Sequence, residues 1–263
     1  MKRILQNLAL ALCLIVFGLS IWNLFHIWQE YHAGDQIYHS IKEQASLPET
    51  ESAPASSPST QADSSEPAET SDPSLPASLV DLDSVKEINE DTIGWIQIPD
   101  TNVDYPILQA DDNEEYLRRT ITGESNKAGS IFVDYRTKEP FREANTLIYG
   151  HNLLDGKMFA NLMKYEEKDW WEEHPLIYIQ TEESVQAYEV YSCYRTRDTS
   201  YTYTFGLETE TEDYQNYLNY SLNRALYSTG IEPEDTEQTL TLSTCTNDQD
   251  TERFIVHARR TTP

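Results

Sequence analysis

Cys245 and Arg253 stand eight residues apart in TLSTCTNDQDTERFIVHAR. A thiol is a nucleophile once a base or an electropositive setting removes its proton. A guanidinium stays charged, and its rigid fork of donors suits an oxyanion or a polarised carbonyl. The missing part is a proton acceptor. Of the six histidines, His26, His32 and His39 lie in or near an apolar N-terminal segment, His174 precedes Pro175 on a loop, and His257 lies within a strand. His151 is the sharpest candidate. It ends the apolar run NTLIYG, follows Gly150 and opens the loop NLLDG. Together, Cys245, His151 and Arg253 have the residue types for nucleophilic catalysis by a thiol. Each also has an ordinary alternative: a small buried thiol, a surface ion pair, a structural histidine.

Two closing strands must position the thiol and the guanidinium. In QTLTLSTC the strand period of two sets Leu240, Leu242 and Thr244 on one face, and Thr239, Thr241, Ser243 and Cys245 on the other. The leucines mark the core, so Cys245 points away from it at a strand end. In the next strand Phe254, Val256 and Ala258 alternate with Arg253, Ile255, His257 and Arg259. If the two strands pair antiparallel with apolar faces aligned, Cys245 and Arg253 flank the joining loop and project to the same side. A Cys193–Cys245 disulfide would consume the thiol, but Cys193 lies within the alternating run AYEVYSCYR and reads more simply as a strand residue. Cys13 belongs to the N-terminal apolar segment.

The segment Ile4 to Trp28 carries no Asp, Glu, Lys or Arg. Its 25 residues at about 1.5 Å each exceed the roughly 30 Å hydrocarbon core of a bilayer. Lys2 and Arg3 precede it and Glu30 follows, which predicts residues 1–3 in the cytoplasm, a signal anchor over 4–28, and the rest outside. Trp22, Trp28 and Tyr31 would lie near the outer interface. A cleaved signal peptide is the alternative, but the apolar stretch is long and no clear A-x-A site follows. Residues 29–80 read as a juxtamembrane segment and spacer. From 47 to 80 the chain is rich in Ser, Pro, Ala, Glu and Thr, and cannot bury enough apolar surface to order itself. The net charge of −26 makes nucleic acid an unsuitable partner, since phosphate contacts need clustered Lys and Arg.

From residue 81 to 263 the chain reads as one mainly β domain. SLVDLDSVKEIN predicts a short helix, and GWIQIP and VDYPIL two strands around the turn PDTN. GSIFVDYR and NTLIYGH follow as strands, DGKMFANLMKYEEKDWW as a helix with Met158, Phe159, Leu162 and Met163 on its apolar face, and LIYIQ and VQAYEVYSCYR as strands. A helix over about 211–228 precedes the two closing strands. Many short strands with few helices point to an antiparallel barrel or sandwich.

These segments carry a resemblance. TLSTC followed by Arg253 resembles the sortase signature T-L-x-T-C…R, and NTLIYGHN resembles that family's histidine motif, in the family's order. GSIFVDYR, YGHNLLDGKMFANL and the helix before the seventh strand resemble class B sortases in particular. The resemblance spans about Asp81 to Arg260. It implies an eight-stranded sortase-type β-barrel with a few peripheral helices, anchored by the single N-terminal helix to the membrane of a Gram-positive cell. It implies that Cys245 attacks the Thr carbonyl of a C-terminal sorting signal on a secreted protein, that His151 is the general acid and base, and that Arg253 holds the oxyanion and positions substrate. Ser243 and Thr244 would line the groove. No metal or organic cofactor is implied. The signal could be of the Asn-Pro type. The acceptor amine stays open between peptidoglycan precursor and a pilin Lys, and a tethered binding module without catalysis is the alternative outside enzymes. Leu47-Pro48-Glu49-Thr50 looks like the core of a sorting signal, but Glu51 follows it and no apolar tail accompanies it, so it reads as chance.

Overall fold

The structure is a computed structural model that describes residues 2–46, 75, 76, 78–246 and 251–261. Most of the spacer expected over 47–80, including the Leu47–Thr50 decoy, lies outside the described residues.

Eight strands close into a barrel: β1 (Thr92–Gln97), β2 (Asp104–Leu108), β3 (Ile131–Val133), β4 (Asn145–Tyr149), β5 (Leu176–Gln180), β6 (Val185–Arg197), β7 (Thr239–Cys245) and β8 (Glu252–Arg260). Their order around the barrel is β1-β2-β3-β4-β7-β8-β6-β5, with β5 returning to β1. β2–β3 and β4–β7 are parallel; the other pairs are antiparallel. The interior is apolar: Leu240, Leu242, Phe254, Val256 and Ala258 are fully buried, as the alternation in β7 and β8 requires.

Among the described residues, four α-helices accompany the barrel: α1 (Lys2–Ala45), α2 (Leu82–Ile88), α3 (Lys168–Glu173) and α4 (Glu212–Arg224). α2 starts where the Asp81 carboxylate accepts from the Ser84 amide, and buries Leu82 and Val85. α4 is capped by Thr211 and buries Tyr214, Tyr217, Leu218 and Ser221, an i, i+3, i+4, i+7 stripe. That stripe roofs the outer face of β6, β7 and β8. The Tyr214 hydroxyl donates to Thr239 Oγ1 at 3.1 Å, and Tyr217 Oη lies 2.8 Å from Thr241 Oγ1. The polar face of β7 is therefore a buried hydrogen-bonded layer that opens only near Cys245.

The helix expected over DGKMFANLMKYEEKDWW is not continuous. Gly156 and Met158 adopt positive φ, and Met158 forms an isolated bridge with Asn152. A 3-10 segment then runs from Ala160 to Glu166, followed by α3. The reason is the spacing of Phe159, Leu162 and Tyr165, all fully buried. A repeat of three suits three residues per turn, not 3.6.

α1 differs from the expected separate anchor and spacer. It continues to Ala45, and Tyr38, Ile41 and Ala45 join the barrel's apolar core. Lys157–Asp35 at 2.7 Å and Lys42–Asp104 flank this docked stretch. Asp81 N–H donates to the Ala45 carbonyl at 2.8 Å, so the chain on either side of residues 47–74 is brought together. Among the described residues, no helix is long and apolar enough to cross a membrane. Leu14, Ile15, Phe17, Leu19 and Trp22 on the first half of α1 are exposed.

Candidate active site

Cys245, His151 and Arg253 line one cleft of about 450 Å³ on the outside of the barrel. Register explains the convergence. β4 and β7 run parallel, with Tyr149 beside Ser243 and the Gly150 amide donating to the Ser243 carbonyl at 3.2 Å. Two residues further along each strand come His151 and Cys245. On the other side of β7, Cys245 is paired directly with Arg253 of β8. Cys245 and Arg253 are thus a registered pair at the end of β7 and β8, and His151 follows two residues past the end of the neighbouring β4, on the same cleft.

His151 is held by the backbone. Its Nε2 lies 2.7 Å from the Leu117 carbonyl oxygen. A carbonyl only accepts, so Nε2 carries the proton and neutral His151 keeps its lone pair on Nδ1. Burial pulls the His151 pKa below its usual 6.5; the Leu117 bond opposes this, and Arg118 and Arg253 add to it. The main-chain carbonyl of His151 accepts from the Phe159 amide at 2.9 Å. Gly150 leaves no room for a side chain: a Cβ there would fall 2.5 Å from Ile131 Cδ1 and 2.6 Å from the Phe159 ring.

Cys245 is a half-buried free thiol, and Asn152 Nδ2 donates to its carbonyl at 2.9 Å. Arg253 donates through Nη1 to the Glu252 carbonyl at 3.0 Å and lies 3.6 Å from the Asp198 carboxylate. Its planar fork borders the cleft beside Cys245.

Ser243 and Thr244 also border the cleft but are almost fully buried. Thr244 Oγ1 donates to the Gly150 carbonyl at 2.8 Å, locking the ends of β4 and β7 together. Ser243 Oγ lies 2.9 Å from Tyr203 Oη. Both hydroxyls are used within the protein rather than presented to the cleft.

The cleft has walls that the sequence did not announce. Tyr203 stacks on Tyr149 with ring centroids 6.5 Å apart. Tyr149 donates to the buried Asp134 carboxylate at 2.9 Å. Arg136 grips Asp134 through two bonds of 2.8 and 2.7 Å, and its guanidinium lies 3.7 Å from the centre of the Phe205 ring. These bonds hold the Asp134 carboxyl below the usual carboxylate range against the opposing effect of burial. Tyr149 was missed, although the period of two sets it on the His151 side. Leu117 was missed because it acts through a carbonyl.

The other candidates fall elsewhere. Cys193 is free and buried; its Sγ donates to the Tyr165 carbonyl at 3.0 Å, and burial pushes its thiol up to about 11. No Cys193–Cys245 bridge forms. His257 is sealed under α4 between Tyr194 and Thr241. His174 stacks on Trp170 at 3.7 Å.

Residues 96–261 match the sortase domain family. The chain is 36% identical to sortase B of Listeria monocytogenes over 184 residues, 69% of this chain and 74% of that one. It is 30% identical to sortase B of Staphylococcus aureus over 179 residues, 67% and 73% of the two chains. Among solved structures, the Staphylococcus aureus sortase B–substrate complex superposes with a TM-score of 0.64 at 29% identity, covering 69% of this chain and 85% of that one. A Bacillus anthracis sortase B superposes with a TM-score of 0.69 at 28% identity, covering 90% of this chain and all of that one. The eight-stranded barrel and the sequence agree with one another, and the chain belongs to the sortase family, as a class B sortase, a cysteine transpeptidase.

Proposed function

We propose that Cys245 is the nucleophile, His151 the proton carrier and Arg253 the oxyanion donor of this transpeptidase. The observation that carries the reading is the convergence of the three residues on one cleft, from the end of β4 and from the Cys245–Arg253 pair of β7 and β8, with the lone pair of neutral His151 left on Nδ1. The Cys245 proton moves to His151 Nδ1 as sulfur bonds to the Thr carbonyl carbon of a sorting signal. The oxygen takes the negative charge beside the Arg253 guanidinium. Collapse breaks the C–N bond, and the leaving amine takes the proton from Nδ1. An acceptor amine then attacks the thioester, gives its proton to Nδ1, and the released thiolate recovers it.

The substrate in this reading is a secreted protein with a C-terminal sorting signal, of the Asn-Pro type, and the acceptor is an amine of cell-wall peptidoglycan precursor. A relative has been solved as a substrate complex, which supports a peptide occupant for the cleft. The chain is held at the outer face of the cell membrane by residues 4–28. The support is chemical: this stretch carries no charged residue, and the exposed apolar side chains of α1 would be costly in water.

The test uses the full chain in lipid nanodiscs, a panel of sorting-signal peptides and an amine acceptor, read by mass spectrometry. The wild type should show a thioester adduct at Cys245 and a transfer product, and Cys245→Ala neither. Product formed at the wild-type rate by Cys245→Ala would refute the assignment.

A further inference from the structure

The docked half of α1 reaches both partners of the site through packed rings and hydrogen bonds. Tyr38 is almost fully buried, and its hydroxyl donates to the Gly129 carbonyl at 2.7 Å while lying 2.9 Å from Ser130 Oγ. Gly129, at φ +59°, packs its Cα against the turn that orients the imidazole: a Cβ there would fall 2.7 Å from the Tyr116 oxygen and 2.8 Å from the Leu117 oxygen. Ser130 fastens the same turn, its amide donating to Tyr116 at 2.9 Å and its hydroxyl to the Arg119 carbonyl at 2.8 Å. The Leu117 carbonyl at the centre of this strapped turn is the one that fixes His151 Nε2.

A second route runs to the nucleophile. The Tyr38 ring meets Tyr105 edge-on, centroids 5.5 Å apart. The Tyr105 hydroxyl accepts from the Met158 amide at 3.2 Å. Met158 is bridged to Asn152, whose Nδ2 donates to the Cys245 carbonyl at 2.9 Å.

We infer that Tyr38 is a positioning residue for the transpeptidation, so that the helix entering from the anchor segment is part of the active-site support and not only a tether. This rests on the assignment of His151 and Cys245 above. The mechanical logic is that a polar group held by a rigid packed shell keeps its geometry, and small misplacements of reacting groups cost rate rather than binding.

The full chain in nanodiscs tests this with Tyr38→Phe and Ser130→Ala, against Lys42→Ala. The last removes the ion pair with Asp104 on the same docked helix but lies off both routes. Tyr38→Phe and Ser130→Ala should each lower kcat roughly tenfold and leave KM within about twofold, while Lys42→Ala keeps kcat. Wild-type kcat in Tyr38→Phe would overturn the inference. So would an equal loss of kcat in Lys42→Ala, because docking strength alone would then account for it. Turnover that survives Cys245→Ala would sink the reading of the site itself, and the role of Tyr38 with it.

Discussion

Cys245 and Arg253 face one another as a registered pair at the open end of β7 and β8. β7 ends at Cys245 and β8 begins at Glu252, so neither side chain reaches the cleft independently of the other. Sheet pairing, not loop geometry, fixes the relation of the nucleophile to its cationic partner, and sites built on strands are held more tightly than sites on loops.

Arg253→Lys keeps the charge but loses the planar fork. The shorter point charge would still be drawn to Asp198, 3.6 Å from the native guanidinium, instead of spanning to a carbonyl in the cleft. Turnover should fall roughly 10²-fold, mainly in kcat, as for removal of one oxyanion donor. Steady-state kinetics on a single peptide checks this. Activity equal to wild type would show that charge alone suffices and that the fork is idle.

The two thiols of the barrel should differ sharply in reactivity. Cys245 is half-buried in the cleft, whereas Cys193 is sealed, tied to the Tyr165 carbonyl, and raised to about 11 by burial. The thiolate is the reacting form. Iodoacetamide on the native chain should mark Cys245 and spare Cys193, and both should react in urea. Peptide mapping reads the outcome, and comparable native labelling of Cys193 would contradict the burial described here.

What the sequence disclosed and what it withheld divide along physical lines. The alternation of Leu240, Leu242 and Thr244 with Ser243 and Cys245 was enough to place the thiol outside the core, because strand period is a local property. The pairing of Cys245 with Arg253 followed from apolar faces that had to align. The roof over β7 did not follow, since Thr241 and His257 read as solvent-facing until α4 is laid across them. The 3-10 segment hid inside a pattern that also fits an α-helix. The Leu117 carbonyl left no mark, because backbone oxygens are common to every residue. The docking of α1 was not read from the sequence for a different reason: the stripe Tyr38, Ile41 and Ala45 is short and is separated from the apolar segment by the polar stretch at 29–36.

Gly150→Ala probes the tightest packing in the site. The added methyl would meet Ile131 Cδ1 at 2.5 Å and the Phe159 ring at 2.6 Å, and both side chains are buried with nowhere to retreat. Overpacking of this kind costs about 1–3 kcal/mol. The displaced backbone also carries the carbonyl that binds Thr244 and leads into His151. The variant should remain folded by circular dichroism, melt at lower temperature and lose most of its turnover. Undiminished kcat with a lowered melting temperature would show that His151 is positioned independently of Gly150.

His257 gives the fold a pH dependence of definite sign. Burial lowers its pKa from the usual 6.5 to about 3, with Tyr194 and Thr241 satisfying the neutral ring. Between those two values the unfolded chain binds the proton and the folded chain does not. Stability therefore falls as pH drops below about 6.5, by at most about 1.4 kcal/mol per pH unit from this one group, and the loss levels off near 3. His151, also lowered, acts in the same direction. Asp134, lowered from 3.8, supports the fold above that value and adds a further loss only under stronger acid. Urea midpoints of the full chain between pH 7.5 and 4.5, followed by tryptophan fluorescence, should decline steadily. In His257→Gln, which cannot titrate, the decline should be shallower over the same range. Parallel slopes in the two proteins would mean that the acid sensitivity arises outside the layer beneath α4.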